Sequence, residues 1–235
     1  MEEERMTPMF TVLRRVCTLV PTIGLLGSMA LVGCDDDNDV VAVIPTPVVT
    51  ATRDPNFNFP TLRTFAMPDT VAHFVPVSGT PLVISRDFDR TVLDQVRANL
   101  TARGYVQVSN PATTTPSFVV LVGATAAANY AVYQTYSWYP YYGYYSGWGW
   151  FSPGFSTDWT LAYPWYSSTG VITVDRGTYV VTIVPTLSVN PLVKQLNAAW
   201  AGTASALLES GITTNMVQSA IDQMFVKSPY LQAGP

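Results

Sequence analysis

The chain has 235 residues, 48% of them hydrophobic and 12% charged, so it can bury a core of its own, and most of it is excluded from the compositional class of disordered segments. Twelve Lys and Arg against 16 Asp and Glu give a formal net charge of -4, which supplies no basic surface for a nucleic-acid backbone. Two cysteines and one histidine are too few soft ligands for a zinc or iron–sulfur site, and no cofactor or metal is expected.

Arg14 and Arg15 precede an apolar run from Val16 to Val32 that closes on Leu31-Val32-Gly33-Cys34. Basic residues, an apolar stretch and small residues before a cut follow the order of a secretory signal. The tetrad resembles the lipobox of bacterial lipoproteins. That resemblance implies removal of residues 1–33, a diacylglycerol on the Cys34 sulfur and a further acyl chain such as palmitate on the new amino terminus. Pro21, Gly24 and Gly27 interrupt the run, which falls short of the ~20 apolar residues a spanning helix needs. Glu2, Glu3 and Glu4 stand where positive charge belongs, which points to a translation start at Met6 or Met9. The expected location is the cell envelope of a Gram-negative bacterium, anchored by lipid and facing the periplasm. Cys17 would leave with the signal and Cys34 would carry the lipid, so no free thiol is expected in the mature chain.

Residues 34–56 read as a tether. Asp35-Asp36-Asp37-Asn38-Asp39 is a self-repelling block of like charge, and the stretch to Pro55 is rich in Pro, Thr and Val. A calcium loop would need a Gly turn and a distal bidentate Glu that the Asp run lacks. From Pro55 onward eight acids face eight bases, giving a nearly neutral surface.

The folded domain is expected over residues 57–230. Thr61 to Met67 alternates as a short strand and stops at Pro68, which opens a loop to Pro81. Phe88, Val92, Val96 and Leu100 recur at helical spacing and predict a helix from Arg86 to Arg103, with Gly104 just past its end. Arg86, Asp87, Asp89, Arg90, Asp94 and Arg97 read as its solvated faces. Tyr105 to Val108 is a second strand, and the unbroken apolar run Phe118 to Val122 is a central strand covered on both faces. Val171–Val174 and Tyr179–Val184 flank Asp175-Arg176-Gly177 as a hairpin. Ala198 to Ala204 is one more strand. Val217, Ala220, Ile221, Met224 and Phe225 mark a second helix, opened near Thr213 or Thr214 and closed by Lys227 and Pro229. This order predicts an α+β fold, a single mostly antiparallel sheet with two helices on one face.

Several of these segments resemble the DUF4136 family of bacterial lipoproteins. They are the Thr64-Phe65-Ala66 strand, the helix ending Leu100-Thr101-Ala102-Arg103-Gly104-Tyr105, the Phe118 strand, Gly170-Val171-Ile172-Thr173-Val174-Asp175, Trp200-Ala201-Gly202 and the closing Lys227-Ser228-Pro229. The resemblance spans about residues 55 to 230. Asn197-Ala198-Ala199 is less hydrophobic than the family pattern, and Thr186 to Lys194 adds a loop to it. The resemblance implies an envelope lipoprotein of uncharacterised role, with no catalytic residues to carry over.

Between Tyr130 and Tyr166 stand 17 aromatic residues and a single charge, Asp158, in an insertion with no helical or strand period. Similar Tyr/Gly-rich inserts belong to the resemblance. Three readings are open: rings folded over the open sheet face as a second core, a contact surface for an envelope protein, glycan or membrane interface, or prion-like disorder. Trp138, Tyr141, Tyr142, Tyr144, Tyr145, Trp148 and Trp150 are the candidate binding residues.

Catalytic readings find less support. His73 lies in the Pro68–Pro81 loop with no spaced Ser or acidic partner and reads as a surface or packing residue. Asp87 and Asp89 suit the positive end of a helix, and Asp175 suits a turn. Gly143, Gly147 and Gly149 have no following Lys or strand-to-helix junction to make a phosphate loop. Asp158, Asp175, Glu209 and Asp222 are scattered over different elements. A non-enzymatic binding or envelope-integrity protein is therefore expected, with a hydrolase of envelope glycan or lipid as the alternative.

Overall fold

The computed structural model describes residues 46–74, 85–111, 113–125, 130–132, 160–165, 172–174, 177–190, 192, 195–208 and 211–235. The signal segment, Cys34 and the acidic run lie outside them.

Two long strands, β5 (Phe118–Thr125) and β9 (Thr178–Pro185), pair antiparallel over their full length and are buried at every position. β12 (Trp200–Ala204) pairs with β9, and β1 (Val49–Arg53) pairs with β12, both antiparallel. On the other side of β5 the direction changes. β2 (Thr64–Ala66) and β3 (Ala72–Phe74) lie in succession along β5, both parallel to it, and β4 (Val106–Gln107) runs parallel to β2. The seven-stranded sheet is thus mixed, and the expectation of a mostly antiparallel one is corrected. The cause is the helix α1 (Asp89–Ala102), whose crossover returns the chain to the end of the sheet from which β2 set out.

Other boundaries move as well. Residues 49–53, assigned to the tether by sequence, form an edge strand of the domain, while β3 falls inside the expected Pro68–Pro81 loop. The expected hairpin between Val171–Val174 and Tyr179–Val184 does not pair. β8 (Ile172–Val174) instead pairs antiparallel with β6 (Tyr130–Val132), and β9 takes β5. In the stretch from Thr186 to Lys194, Thr186–Ser188 makes a 3-10 turn and β10 (Val189–Asn190) pairs with β11 (Gln195–Asn197). β11 in turn runs parallel to β7 (Thr160–Ala162).

Alternation along the central strands divides the interior. Phe118, Val120, Val122 and Ala124 of β5, with Tyr179, Val181 and Ile183 of β9, face the principal core. There they meet Val92, Val96 and Leu100 of α1 and Val217, Ile221, Met224 and Phe225 of α2 (Thr214–Val226), all buried as their helical spacing predicts. Thr213 caps α2 by accepting a hydrogen bond from the Met216 amide, and Gly104 ends α1 with a φ of 85°, the left-handed geometry that glycine adopts without strain. Val119, Leu121, Val180, Thr182 and Val184 face the other way and are also buried.

One backbone approach decides how α2 sits. A Cβ on Gly202 would fall 2.7 Å from the Trp200 ring and 2.9 Å from the Met224 sulfur, so the helix rests directly on the glycine. The same ring is fixed at its far side, where the Trp200 indole N–H donates to the Ser228 hydroxyl at 2.8 Å. Gly202→Ala is expected to lower stability by about 1–3 kcal/mol through overpacking, read as a lower urea midpoint with unchanged slope. An unchanged midpoint contradicts the close contact.

Candidate functional site

The aromatic insertion leaves the sheet at its centre. β5 and β9 are consecutive members of the central ladder, ending at the Thr125–Thr178 pair, and the β6–β8 ladder begins again at Tyr130–Val174. Four residues on one side and three on the other separate the two ladders in sequence, and their pairings differ by one residue in offset. In sequence, residues 133–171 connect β6 to β8.

At its C-terminal end the insertion is tied to the sheet face opposite the helices. Leu161, Ala162 and Tyr163 are buried. The hydroxyls of Tyr163 and Thr182 share a hydrogen bond of 3.0 Å, and the Trp165 indole N–H donates to Thr52 of β1 at 3.1 Å. The Tyr163 and Trp165 rings meet edge to face at 5.8 Å. Burial holds the Tyr163 phenol protonated well above the usual tyrosine range, partly offset by the Thr182 bond. This part of the segment follows the second-core reading. Trp138, Tyr141, Tyr142, Tyr144, Tyr145, Trp148 and Trp150 lie outside the described residues, as do Asp158, Asp175 and Glu209.

Near the Thr125–Thr178 end of the central ladder the structure assembles a polar cluster that the sequence does not reveal. His73 on β3 and Asp89 in the first turn of α1 are 16 residues apart, and the His73 Nε2 lies 2.9 Å from both Asp89 carboxylate oxygens. Because a carboxylate only accepts, the proton belongs on Nε2. Arg86 donates to the same carboxylate at 3.1 Å, and the Tyr179 hydroxyl of β9 approaches it at 3.4 Å. The His73 side chain is only 9% exposed and that of Asp89 13%, whereas Arg86 is largely open to solvent. Burial and then the neighbouring Asp89 charge hold the Tyr179 phenol protonated far above its ordinary range. The expectation that His73 lacks an acidic partner, and that Asp89 sits on a solvated face, is corrected. The pairing escapes sequence reading because it joins a short strand to a helix start across a loop. Asp87 does behave as a surface residue, accepting from the Ser85 hydroxyl, and Asp94 pairs with Arg90 and Arg97 in the open.

Asp222 is occupied structurally. It accepts from the side-chain amides of Gln95 and Asn99 and so clamps α2 to α1. Among the described residues there is no group of three or more His, Cys, Asp and Glu arranged to hold a metal ion, and no helix is long and apolar enough to cross a membrane.

A two-helix α+β layer on a mixed sheet, with an aromatic insertion between the central strands, defines the class of domain. The DUF4136 family, described as a domain of unknown function, matches residues 49–230, and the chain belongs to it. The match begins at Val49, the first residue of β1. A DUF4136 family protein from Bacteroides thetaiotaomicron is similar in structure with a TM-score of 0.55 at 21% identity, over 80% of this chain and 98% of that one. The PelC dodecamer from Paraburkholderia phytofirmans gives a TM-score of 0.37 at 11% identity, over 80% and 98% of the two chains. None of the curated proteins matches.

Two outcomes test the electrostatics. Asp89→Asn removes the charge on which His73, Arg86 and Tyr179 converge and is expected to cost about 1–3 kcal/mol, with His73→Ala in the Asn background adding little, as a double-mutant cycle would reveal. The second concerns Tyr105, a buried phenol whose hydroxyl has no hydrogen-bond partner among the described residues. Burial pushes it up to about 12, against the opposing pull of Arg103 and Arg63. A phenol neutral in the folded chain to higher pH than in the unfolded one stabilises fully below the unfolded value of about 10 and loses that contribution as the pH climbs toward the folded value. Tyr105→Phe is therefore expected to move alkaline unfolding to higher pH and to raise neutral stability by about 1 kcal/mol. An unchanged alkaline midpoint contradicts this account.

Proposed function

We propose that the chain is a lipid-anchored envelope protein of a Gram-negative bacterium, held by Cys34 and facing the periplasm, that binds a partner protein or glycan without catalysing a reaction. The observation carrying this reading is the position and chemistry of the insertion. A segment holding 17 of the chain's 29 aromatic residues and one charge lies in sequence between and around the paired strands β6 and β8, and its described C-terminal part is fixed by Tyr163 and Trp165. Tyr and Trp offer large contact area with a polar tip and few torsions to freeze, which suits recognition at a wet interface. The lipobox-like Leu31-Val32-Gly33-Cys34 supports the anchor. A second reading, a hydrolase of envelope glycan or lipid, draws on the buried His73–Asp89 pair, because a carboxylate that orients an imidazole is one component of a general base.

The test replaces residues 138–151 by a Gly/Ser linker and leaves the packed Tyr163 and Trp165 in place. Both forms are expected to fold alike by circular dichroism, while only the intact chain cosediments with peptidoglycan sacculi or captures a discrete envelope protein. Equal binding by both forms ends the aromatic-surface reading. Mass spectrometry of the mature amino-terminal peptide is expected to find Cys34 acylated, and an unmodified Cys34 removes the anchor. Hydrolysis of sacculi or phospholipid that is lost in His73→Gln favours the second reading instead.

A further inference from the structure

Among the described residues, the outer edge of β1 pairs with no other strand. The Ser205 amide donates to the Val48 carbonyl and the Asp54 amide donates to the Ala199 carbonyl. In an antiparallel ladder these bonds fix which residues face the partner strand: Val48, Thr50, Thr52 and Asp54 turn their backbone groups toward β12. Val49, Ala51 and Arg53 therefore turn theirs away from the sheet, where no described strand meets them. Arg53 is the one charged side chain along this strand that could blunt the edge, and it is turned over the Tyr230 ring. The pairing of β1 with β12 runs without a bulge over five residues, and VTATR contains neither proline nor lysine.

We infer that this edge is a self-association surface, on which β1 of a second copy pairs antiparallel across a two-fold axis at Ala51. Three features favour an identical copy in that orientation. First, the edge is self-complementary: Val49 meets Arg53 of the second copy, Ala51 meets its own equivalent, and the three outward residues form about six backbone hydrogen bonds. Second, charge selects antiparallel over parallel pairing. Parallel pairing would stack like residues at the ~4.8 Å strand spacing, bringing the Arg53 side chains together. Antiparallel pairing sets them four residues apart, about 13 Å, beyond the physiological screening length of about 8 Å. Arg53 is itself already held over the Tyr230 ring at 3.9 Å. Third, the groove beside the start of the edge is lined by no charged side chain. This groove, of about 330 Å³ between the start of β1 and α2, is lined by Thr46, Pro47, Val49, Asn215, Ser219 and Gln223 among others, and Val226, 71% exposed, lies on the same stripe of the helix. Depletion of charge is what distinguishes the centre of an interface from ordinary surface. Two such flanks meeting across the axis bury no unpaired ion, whereas an acidic or basic peptide would find no counter-charge there except Arg53.

The full chain, extracted in detergent, is expected to give a dimer by native mass spectrometry, and Ala51→Pro a monomer. Proline at this position removes only an outward amide and leaves the internal ladder intact. Residue-resolved amide exchange serves as a second measurement on the unaltered chain and decides the case if the proline variant does not fold. The Val49, Ala51 and Arg53 amides should exchange severalfold more slowly at about 100 µM than at about 1 µM, up to the roughly tenfold limit that mass action sets for a dimer, while Thr50 and Thr52 stay protected at both. A wild-type monomer at the higher concentration, open-ended assemblies instead of a dimer, a dimer that survives Ala51→Pro, or concentration-independent exchange at Val49, Ala51 and Arg53 overturns the inference.

Discussion

The ladder between β5 and β9 is the constraint from which the other elements follow. Its eight residue pairs are buried on both faces, so neither face can be left to solvent. An amphipathic antiparallel pair would need only one covering layer. Here the α1 and α2 side takes Phe118, Val120, Val122, Tyr179, Val181 and Ile183, and Leu161, Tyr163 and Leu196 belong to the buried residues outside that cluster. The single polar side chain in the middle of β9, Thr182, is tolerable because the Tyr163 hydroxyl meets it. Tyr163 belongs to the insertion, so part of what the sequence presents as an appendage is structural.

Much of the interior could be read directly from residue spacing. The Phe118 run, the four-residue steps to Leu100, the Thr213 cap and the positive φ at Gly104 are local consequences of local residues, and all are present. What escaped depends on partners distant in sequence. Parallel pairing of β2 with β4 and β5 leaves no mark on their side chains, since direction is imposed by the α1 crossover. β1 was hidden because Val49–Arg53 follows Pro45 and Pro47 and shares their Thr- and Val-rich composition, although its alternation of Val49 and Ala51 with Thr50 and Thr52 already separates a core side from a polar side. His73 and Asp89, taken one at a time, each fit the commonest role for their residue type. Only the placement of β3 beside β5 brings them within hydrogen-bond reach. The candidate binding aromatics rest on composition alone.

The segments that carry the family resemblance turn out to be physically joined. Trp200-Ala201-Gly202 and Lys227-Ser228-Pro229 lie on separate elements, yet the Trp200 indole donates to Ser228 and the same ring overlies Gly202 beneath Met224. The chain beyond α2 then closes the base of the fold, with Leu231 buried, the Ala233 amide donating to the Arg103 carbonyl and Arg63 donating to Pro60 and Pro235. Family-like positions in this region therefore report a packing solution, in which an indole, a hydroxyl and a missing side chain must agree.

The insertion enters and leaves through adjacent strands of one ladder, so its two ends are already held about 5 Å apart by the backbone pairing. Loop-closure entropy grows only with the logarithm of length, about 0.6 kcal/mol for each doubling. Lengthening, shortening or rewriting the tip thus hardly alters the free energy of the domain beneath it. Such an arrangement lets the length and composition of the insertion diverge between relatives while the scaffold stays under its own selection. It also makes the tip of the insertion the natural position at which to graft a foreign peptide.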